Sequence, residues 1–332
     1  MKYDLTQARK CIETLDKRRF DRALLGSGDA FRHIVSLVPL LLHLNHPALP
    51  GYVEDAPAGI ADFILSNYQQ NFLSKEHPEL VEYVQSAVNS DAVFTPILGI
   101  YVMGSFGSIS QTSASDLDIW ICHQDDLSEQ DQQRLAEKTK KITQWASTFH
   151  VEMHFYLMTQ KRFRNERYSD PLTKENSGSA QYMLLLEEFY RSAVRLSGKP
   201  LLWLHLWVED EKQYEAEVAR LVAEGELNPN DWVDFGGLGQ FSASEYFGAS
   251  LWQLYKGIDS PYKSVMKILL LETYAQEYPN AHLIARQFKE DLLSGRSTAA
   301  HHFDPYIAIL ERISQYLTAH SEFKRLDFVR SC

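Results

Sequence analysis

Residues 101–122 read YVMGSFGSISQTSASDLDIWIC, and the order of residue types within them sets the expected centre of the fold. An apolar, partly β-branched run from Ile97 to Met103 stops at Gly104-Ser105, and a second run, Leu117 to Cys122, restarts after a loop rich in Ser and Thr. In the second run Asp116, Asp118 and Trp120 alternate with Leu117, Ile119 and Ile121. A strand there turns two carboxylates and an indole to one face and three aliphatic side chains to a core.

The composition of the loop exceeds what a mere connection needs. Gly104 and Gly107 allow close approach of backbone to a ligand, and Ser105, Ser108, Ser110, Thr112, Ser113 and Ser115 offer small hydroxyls suited to phosphate oxygens. A helix beginning at Ser105 would add an anion site through its free N–H groups. Carboxylates two residues apart on a strand stand about 6.6 Å apart at Cα, so their oxygens converge on one or two divalent ions bridging a triphosphate. Mg2+ takes such oxygen ligands and completes its shell with water and phosphate. A bare Asp-x-Asp alone describes a solvated acidic edge better, and the order of the elements is what favours a nucleotide-and-metal site.

That order is an apolar strand, Gly-Ser, ten residues, Asp-Leu-Asp and an apolar strand. It resembles the nucleotidyltransferase superfamily of DNA polymerase beta, in which a third carboxylate lies on a later strand between apolar residues. Val151-Glu152-Met153 fits that position. Longer blocks narrow the resemblance: MGSFGSISQTSASDLDIWICH (103–123), EEFYRSAVRLSGKPLLW (187–203), GGLGQFSASEYFGASLWQLYKGIDSPYKSVMKILLLE (236–272) and HPALPGY (46–52) resemble the catalytic portion of the class I adenylate cyclases of enterobacteria. The loop departs from the wider superfamily in carrying Gly107 and Ser108 where polymerase beta has an Arg, so triphosphate charge must be met elsewhere.

The chain has 332 residues, enough for two domains, and 45% apolar with 12% aromatic content makes it globular rather than disordered. A formal charge of −11 argues against tracking nucleic acid, which is bound through clustered Lys and Arg. Cys11, Cys122 and Cys332 are too few and scattered for a disulfide frame or zinc knuckle and suit a reducing cytoplasm. No apolar signal core opens the sequence, and the run from Ile34 to Leu44 is too short to span a bilayer. A cytoplasmic protein without a transmembrane segment is expected.

In chain order, helices are expected over Leu5–Leu25 and Phe31–Leu44, the latter kinked or interrupted at Pro39, then an irregular proline-rich stretch over 46–60 and helix over 61–90. Asp91–Met103 should deliver the first strand, Leu127–Phe149 a crossover helix, and His150–Met158 a strand with His150, Glu152 and His154 on one face. A zinc site from that trio is disfavoured, because neighbours on one strand face diverge too far to close a tetrahedral shell; His43 and His46 lack partners for a metal role. Lys161–Gly178, with Arg162, Arg164, Arg167 and Lys174, reads as a basic loop, either solvated or a lid. Helix is expected over Gln181–Leu196, strand over Pro200–Val208, and helices over Asp210–Glu224, Ala249–Ile258, Tyr262–Tyr278 and Asp304–His320. Arg191, Arg195 and Lys199 are secondary phosphate candidates, with salt bridges to nearby acids as the competing reading. Gly236, Gly237 and Gly239 follow no strand and complete no dinucleotide fingerprint, and His301 and His302 carry no assignment.

The resemblance implies an α+β fold: a nucleotidyltransferase-like palm with a small mixed or antiparallel sheet, N-terminal helices and a C-terminal helical domain. The expected division is a palm over 1–208 with its helical lead over 1–90, and a helical domain over 209–332 that closes over the nucleotide. By the same resemblance Asp116, Asp118 and Glu152 hold two Mg2+ or Mn2+ ions; from the loop composition Gly104, Ser105, Ser108 and Ser115 hold phosphates, and from its place on the carboxylate face Trp120 walls or stacks the base. Lys263, with Lys267 one turn on, replaces the missing loop Arg. The implied reaction converts ATP to cyclic AMP and pyrophosphate. The family's regulator is the glucose-specific protein of the sugar phosphotransferase system, acting through a C-terminal region that nothing here resembles, so a catalytic fragment is expected. A transferase using a separate acceptor shares every metal ligand, and a non-catalytic nucleotide sensor is the third class.

Overall fold

A computed structural model describes residues 5–88, 95–113, 115–165, 182–239, 241–294 and 303–331. Helix α1 (Leu5–Leu25) leads, followed by α2 (Asp29–His43), α3 (Asn67–Glu76) and α4 (Val81–Val88). The centre comprises β1 (Ile97–Met103), β2 (Leu117–His123), α5 (Glu129–Ser147), β3 (Met153–Met158), α6 (Gln160–Asn165), α7 (Tyr182–Ser192) and β4 (Val194–Gly198). Short α8 (Leu202–His205) and α9 (Tyr214–Ala223) lead to α10 (Ala243–Lys256), α11 (Pro261–Gln276), α12 (Ile284–Leu293), α13 (Pro305–Ala319) and α14 (Phe323–Arg330).

The four strands form one mixed sheet in the order β3-β2-β1-β4. Strand β1 is antiparallel to β2 and β4, while β2 and β3 run parallel across the α5 crossover. Alternation within each strand feeds two cores. Ile97, Ile100 and Val102 with Leu117, Ile119 and Ile121 pack on α2 and α5, whereas Tyr101, Met103, Trp120 and Met158 pack on α7 and the C-terminal helices. The carboxylate face of β2 is therefore roofed by the second half of the chain.

Several elements differ from the sequence expectation. Helix α2 runs through Pro39, because Leu37, Val38 and Leu40 to Leu42 are wholly buried and packing outweighs one missing N–H bond. Val194–Gly198 leaves the helix before it and adds as β4 to the free edge of β1. Pro200–Val208 is not a strand: Leu201 makes a single bridge to Val233 and the chain then coils into α8. Leu201 to Leu206 are buried on every side, so the run carries no period by which strand and helix can be told apart. The strand after α5 begins only at Met153, since His150 has φ +60° and lies outside it. Helices α12 and α14 lie in segments to which no element was assigned. Asp91, Arg167, Lys174, Gln181, His301 and His302 lie outside the described residues.

Candidate functional site

The β1–β2 register places Met103 opposite Asp118, so the loop leaves and returns beside the carboxylates. Gly104 has φ +84°, a conformation that glycine adopts freely, and a side chain there would meet only the Asp118 Oδ2 at 3.8 Å. The backbone at Gly104 thus opens directly onto Asp118. Gly107 serves a different purpose from the one expected: a Cβ there would stand 2.3 Å from the Arg19 carbonyl oxygen, so this glycine admits α1 rather than a ligand. No helix begins at Ser105, and residues 104–107 form turns.

Among the loop hydroxyls, Ser108 is buried, donates to the Ser105 carbonyl at 2.7 Å and accepts from the Ser110 N–H at 3.2 Å, which commits it to the loop's own shape. Ser105 is also buried, whereas Ser115 is half-buried and its Oγ accepts from the Thr112 N–H at 2.9 Å. The Gly104 N–H donates to the Ser192 Oγ at 3.1 Å, so the end of α7 holds the start of the loop.

Asp116 is exposed and Asp118 half-buried. Burial pushes the Asp118 carboxyl up to about 6, aided by the negative charge of Asp116 and opposed by His154, Lys267 and the Tyr156 hydroxyl. Tyr156 donates to Asp118 Oδ1 at 3.3 Å. The parallel register pairs Asp118 with His154 and Trp120 with Tyr156, which puts these residues and Glu152 on one face. Glu152 is 71% exposed, and one of its oxygens lies 3.2 Å from His154 Nε2.

Helix α11 brings Lys263 and Lys267 to the same face. The Lys263 ammonium is depressed by its burial, with Asp116 and Asp118 pulling the other way and Lys267 adding to the depression, and it lies 5.8 Å from the centre of the Tyr306 ring. Lys267 donates to Glu188 at 2.7 Å, and although burial alone would lower its pKa, the Glu188 charge outweighs it. Glu188 and Glu187 in turn pair with the buried Arg191.

Other sequence candidates stand elsewhere. Trp120 is 3% exposed and stacked on Phe189 at 4.1 Å between ring centres, with Phe163 and Phe235 around it; it belongs to the core behind the carboxylates and presents no free face to a base. Arg191 and Arg195 follow the salt-bridge reading, Arg195 pairing with Glu13 at 3.2 Å. Arg164 pairs with Glu215 and Asp234. His43 accepts from the Ile60 N–H at 3.1 Å and stacks on Phe63, and burial pushes it down to about 4. Tyr156, Tyr306 and Ser192 escaped the sequence reading; Tyr156 alone carried a signal, as the third alternate position after Glu152 and His154.

Among the described residues no group of three or more His, Cys, Asp or Glu side chains is arranged to hold a metal ion unaided. The donor set nonetheless fits a hard divalent cation: two carboxylates on one strand face, next to a glycine with open space, leave positions for water and phosphate oxygens. No helix among the described residues is long and apolar enough to cross a membrane.

Residues 4–204 match the family described as the adenylate cyclase NT domain, and residues 241–332 match the second domain of class-I adenylate cyclase. An adenylate cyclase of Haemophilus influenzae is 68% identical over 100% of this chain and 40% of its own length. One from Pasteurella multocida is 62% identical over 99% of this chain and 40% of its own, and one from Escherichia coli 45% over 97% and 37%. The chain thus spans about 40% of the length of the curated relatives it matches. No solved structure matches it.

Proposed function

The chain belongs to the class I adenylate cyclase family, and we propose that it carries the nucleotide-cyclising site, converting ATP to 3′,5′-cyclic AMP and pyrophosphate. The observation that carries this reading is that Lys263 and Lys267 on α11 lie close enough to the carboxylates of Asp118 on β2 and Asp116 just before it to influence their charge, because it sets cationic groups for a triphosphate against a carboxylate pair. In a palm-and-lid reading, residues 1–208 supply the carboxylates and residues 209–332 the lysines.

Asp116 and Asp118 would hold two divalent ions, Mg2+ or Mn2+, with Glu152 on the one that activates the ribose 3′-hydroxyl, and the ions would supply positive charge at the α-phosphate. Lys263 binds the triphosphate, since its ammonium has no carboxylate at salt-bridge distance among the described residues. Lys267, fixed by Glu188, contributes a steady positive field beside Asp118. Gly104 lets a phosphate approach without steric conflict, Ser105 and Ser115 offer hydroxyls to it, and Ser108 shapes the turn. Tyr156 orients Asp118 by donating to one of its oxygens. The nucleophile is tethered to its own phosphorus, so no acceptor groove is needed and positioning does most of the work.

Regulation by the glucose-specific phosphotransferase protein would act through sequence beyond these residues, and the site of action would be the cytoplasm. The test is turnover of α-labelled ATP by the purified protein with Mg2+ or Mn2+ alone, followed by chromatography. Cyclic AMP and pyrophosphate are expected, with 3′-deoxy-ATP competing but unreactive. Label appearing instead on an added small molecule, protein or RNA makes the protein a transferase, and binding without turnover makes it a sensor.

A further inference from the structure

The Asp304 side chain is 1% exposed and each of its oxygens has a separate task. Oδ1 accepts from the backbone N–H groups of Tyr306 and Ile307 at 3.0 and 3.3 Å, which caps α13. That task needs one oxygen, and Ser or Asn would perform it as well. Oδ2 reaches away from the helix and accepts from the Ile109 N–H and from an Arg22 NH2 group, both at 2.7 Å. One carboxylate therefore ties together α1, the loop after β1 and the start of α13.

The partners extend the tie. Arg22 also donates through Nε to the Gly107 carbonyl at 2.5 Å, so α1 and Asp304 grip both ends of the 107–109 turn. Gln111 accepts from the Gly107 N–H at 2.6 Å and donates to Ala23 and Ser27 on and after α1. Two residues beyond Asp304, the Tyr306 ring underlies Lys263. The same short segment thus fixes the loop on one side and the lysine-bearing surface on the other.

From this geometry we propose that Asp304 is a positioning residue, latching the C-terminal helices to the glycine–serine loop so that Gly104 and Lys263 face one another at a fixed distance. What the latched site does rests on the cyclase reading above; the latch itself rests on the hydrogen bonds. A charged oxygen accepting two short bonds in a buried position is a strong tie, and a small displacement of groups around a reacting phosphate is costly in rate.

Two substitutions separate latching from capping. Asp304→Ser retains a helix cap and cannot reach Ile109 or Arg22; Asp304→Ala loses both functions. The serine variant is expected to melt above the alanine variant by the share due to the cap, yet to show kcat/KM for ATP reduced roughly 10–100-fold per folded molecule. Hydrogen exchange supplies a readout independent of turnover: the peptide carrying Ile109 should exchange about tenfold faster in Asp304→Ser than in the wild type. Combining Asp304→Ser with Arg22→Met should lower kcat/KM by less than the product of the two single effects, as the Arg22–Asp304 bond they share cannot be broken twice. Wild-type exchange at Ile109 in the serine variant, or unchanged kcat/KM per folded molecule, overturns the latch while leaving the cyclase reading intact. If the wild type makes no cyclic AMP, that reading fails instead, and the Ile109 exchange alone decides the latch.

Discussion

Lys263 and Lys267 lie one turn apart on α11, but their surroundings predict opposite consequences of removing them. Lys263 touches the Tyr306 ring at 5.8 Å and has no carboxylate at salt-bridge distance among the described residues, so Lys263→Ala should cost folding less than about 1 kcal/mol. A charge-assisted contact to phosphate is worth about 1.5–3 kcal/mol. At about 1.4 kcal/mol per decade, its loss raises the KM for ATP roughly 10–150-fold. Lys267 is bonded at 2.7 Å to Glu188, whose side chain is 17% exposed and whose next cation, Arg191, is 3.9 Å away. Lys267→Ala strands that carboxylate and should cost about 3 kcal/mol of stability. Initial rates over a range of ATP concentrations, with urea unfolding of both variants, give the two quantities side by side. A Lys263→Ala variant that unfolds as readily as Lys267→Ala, or whose KM stays within threefold of wild type, refutes the assignment of Lys263 to the triphosphate.

Three further outcomes follow from the geometry. Asp116→Asn and Asp118→Asn should each lower kcat by roughly 100-fold or more with unchanged circular dichroism, since Asp116 is exposed, Asp118 half-buried and neither supports a core; near wild-type turnover in both sinks the site. Trp120→Ala should lose about 3–5 kcal/mol of stability in a denaturant melt, whereas Trp120→Phe keeps the ATP KM within about twofold, and a large KM change without a stability change would restore a nucleotide contact. His205 donates its Nδ1–H to Leu201 and buries Nε2 without a partner, and burial pushes it down to about 3. Its folded pKa lies below its unfolded value, so as pH falls from 6.5 towards 3 the unfolded chain takes up the proton first and stability drops, by up to ~1.4 kcal/mol per pH unit. Urea midpoints at pH 7, 6 and 5 should therefore fall more steeply for wild type than for His205→Phe, and parallel slopes would remove His205 as the cause.

The sequence alone carried the β1–loop–β2 unit, because a period of two and a change from apolar to small polar residues are local properties. The same holds for α1, whose bounds match the expected Leu5–Leu25, and for the α5 crossover, expected over Leu127–Phe149 and found over Glu129–Ser147. Lys263 and Lys267 are named only by resemblance, and their triphosphate role belongs to the proposal above. Where an apolar run was buried on all sides, as at Leu201 to Leu206, the pattern held no period and the element type was lost.

Tertiary structure decided what each side chain faces. Trp120 shares a strand face with Asp116 and Asp118, yet Phe189 on α7 stacks over the indole while Asp116 stays exposed and Asp118 half-buried. Gly107 looks like a ligand-facing glycine until α1 is found 2.3 Å from its missing Cβ. Arg191 is cationic in sequence but neutralised in space by Glu187 and Glu188, and Asp304 caps its own helix while reaching a loop that is 195 residues away in the chain. Local pattern fixes which face of a strand or helix a residue occupies, since that depends on backbone period; what covers that face depends on chain segments far apart in sequence, and only their packing supplies it.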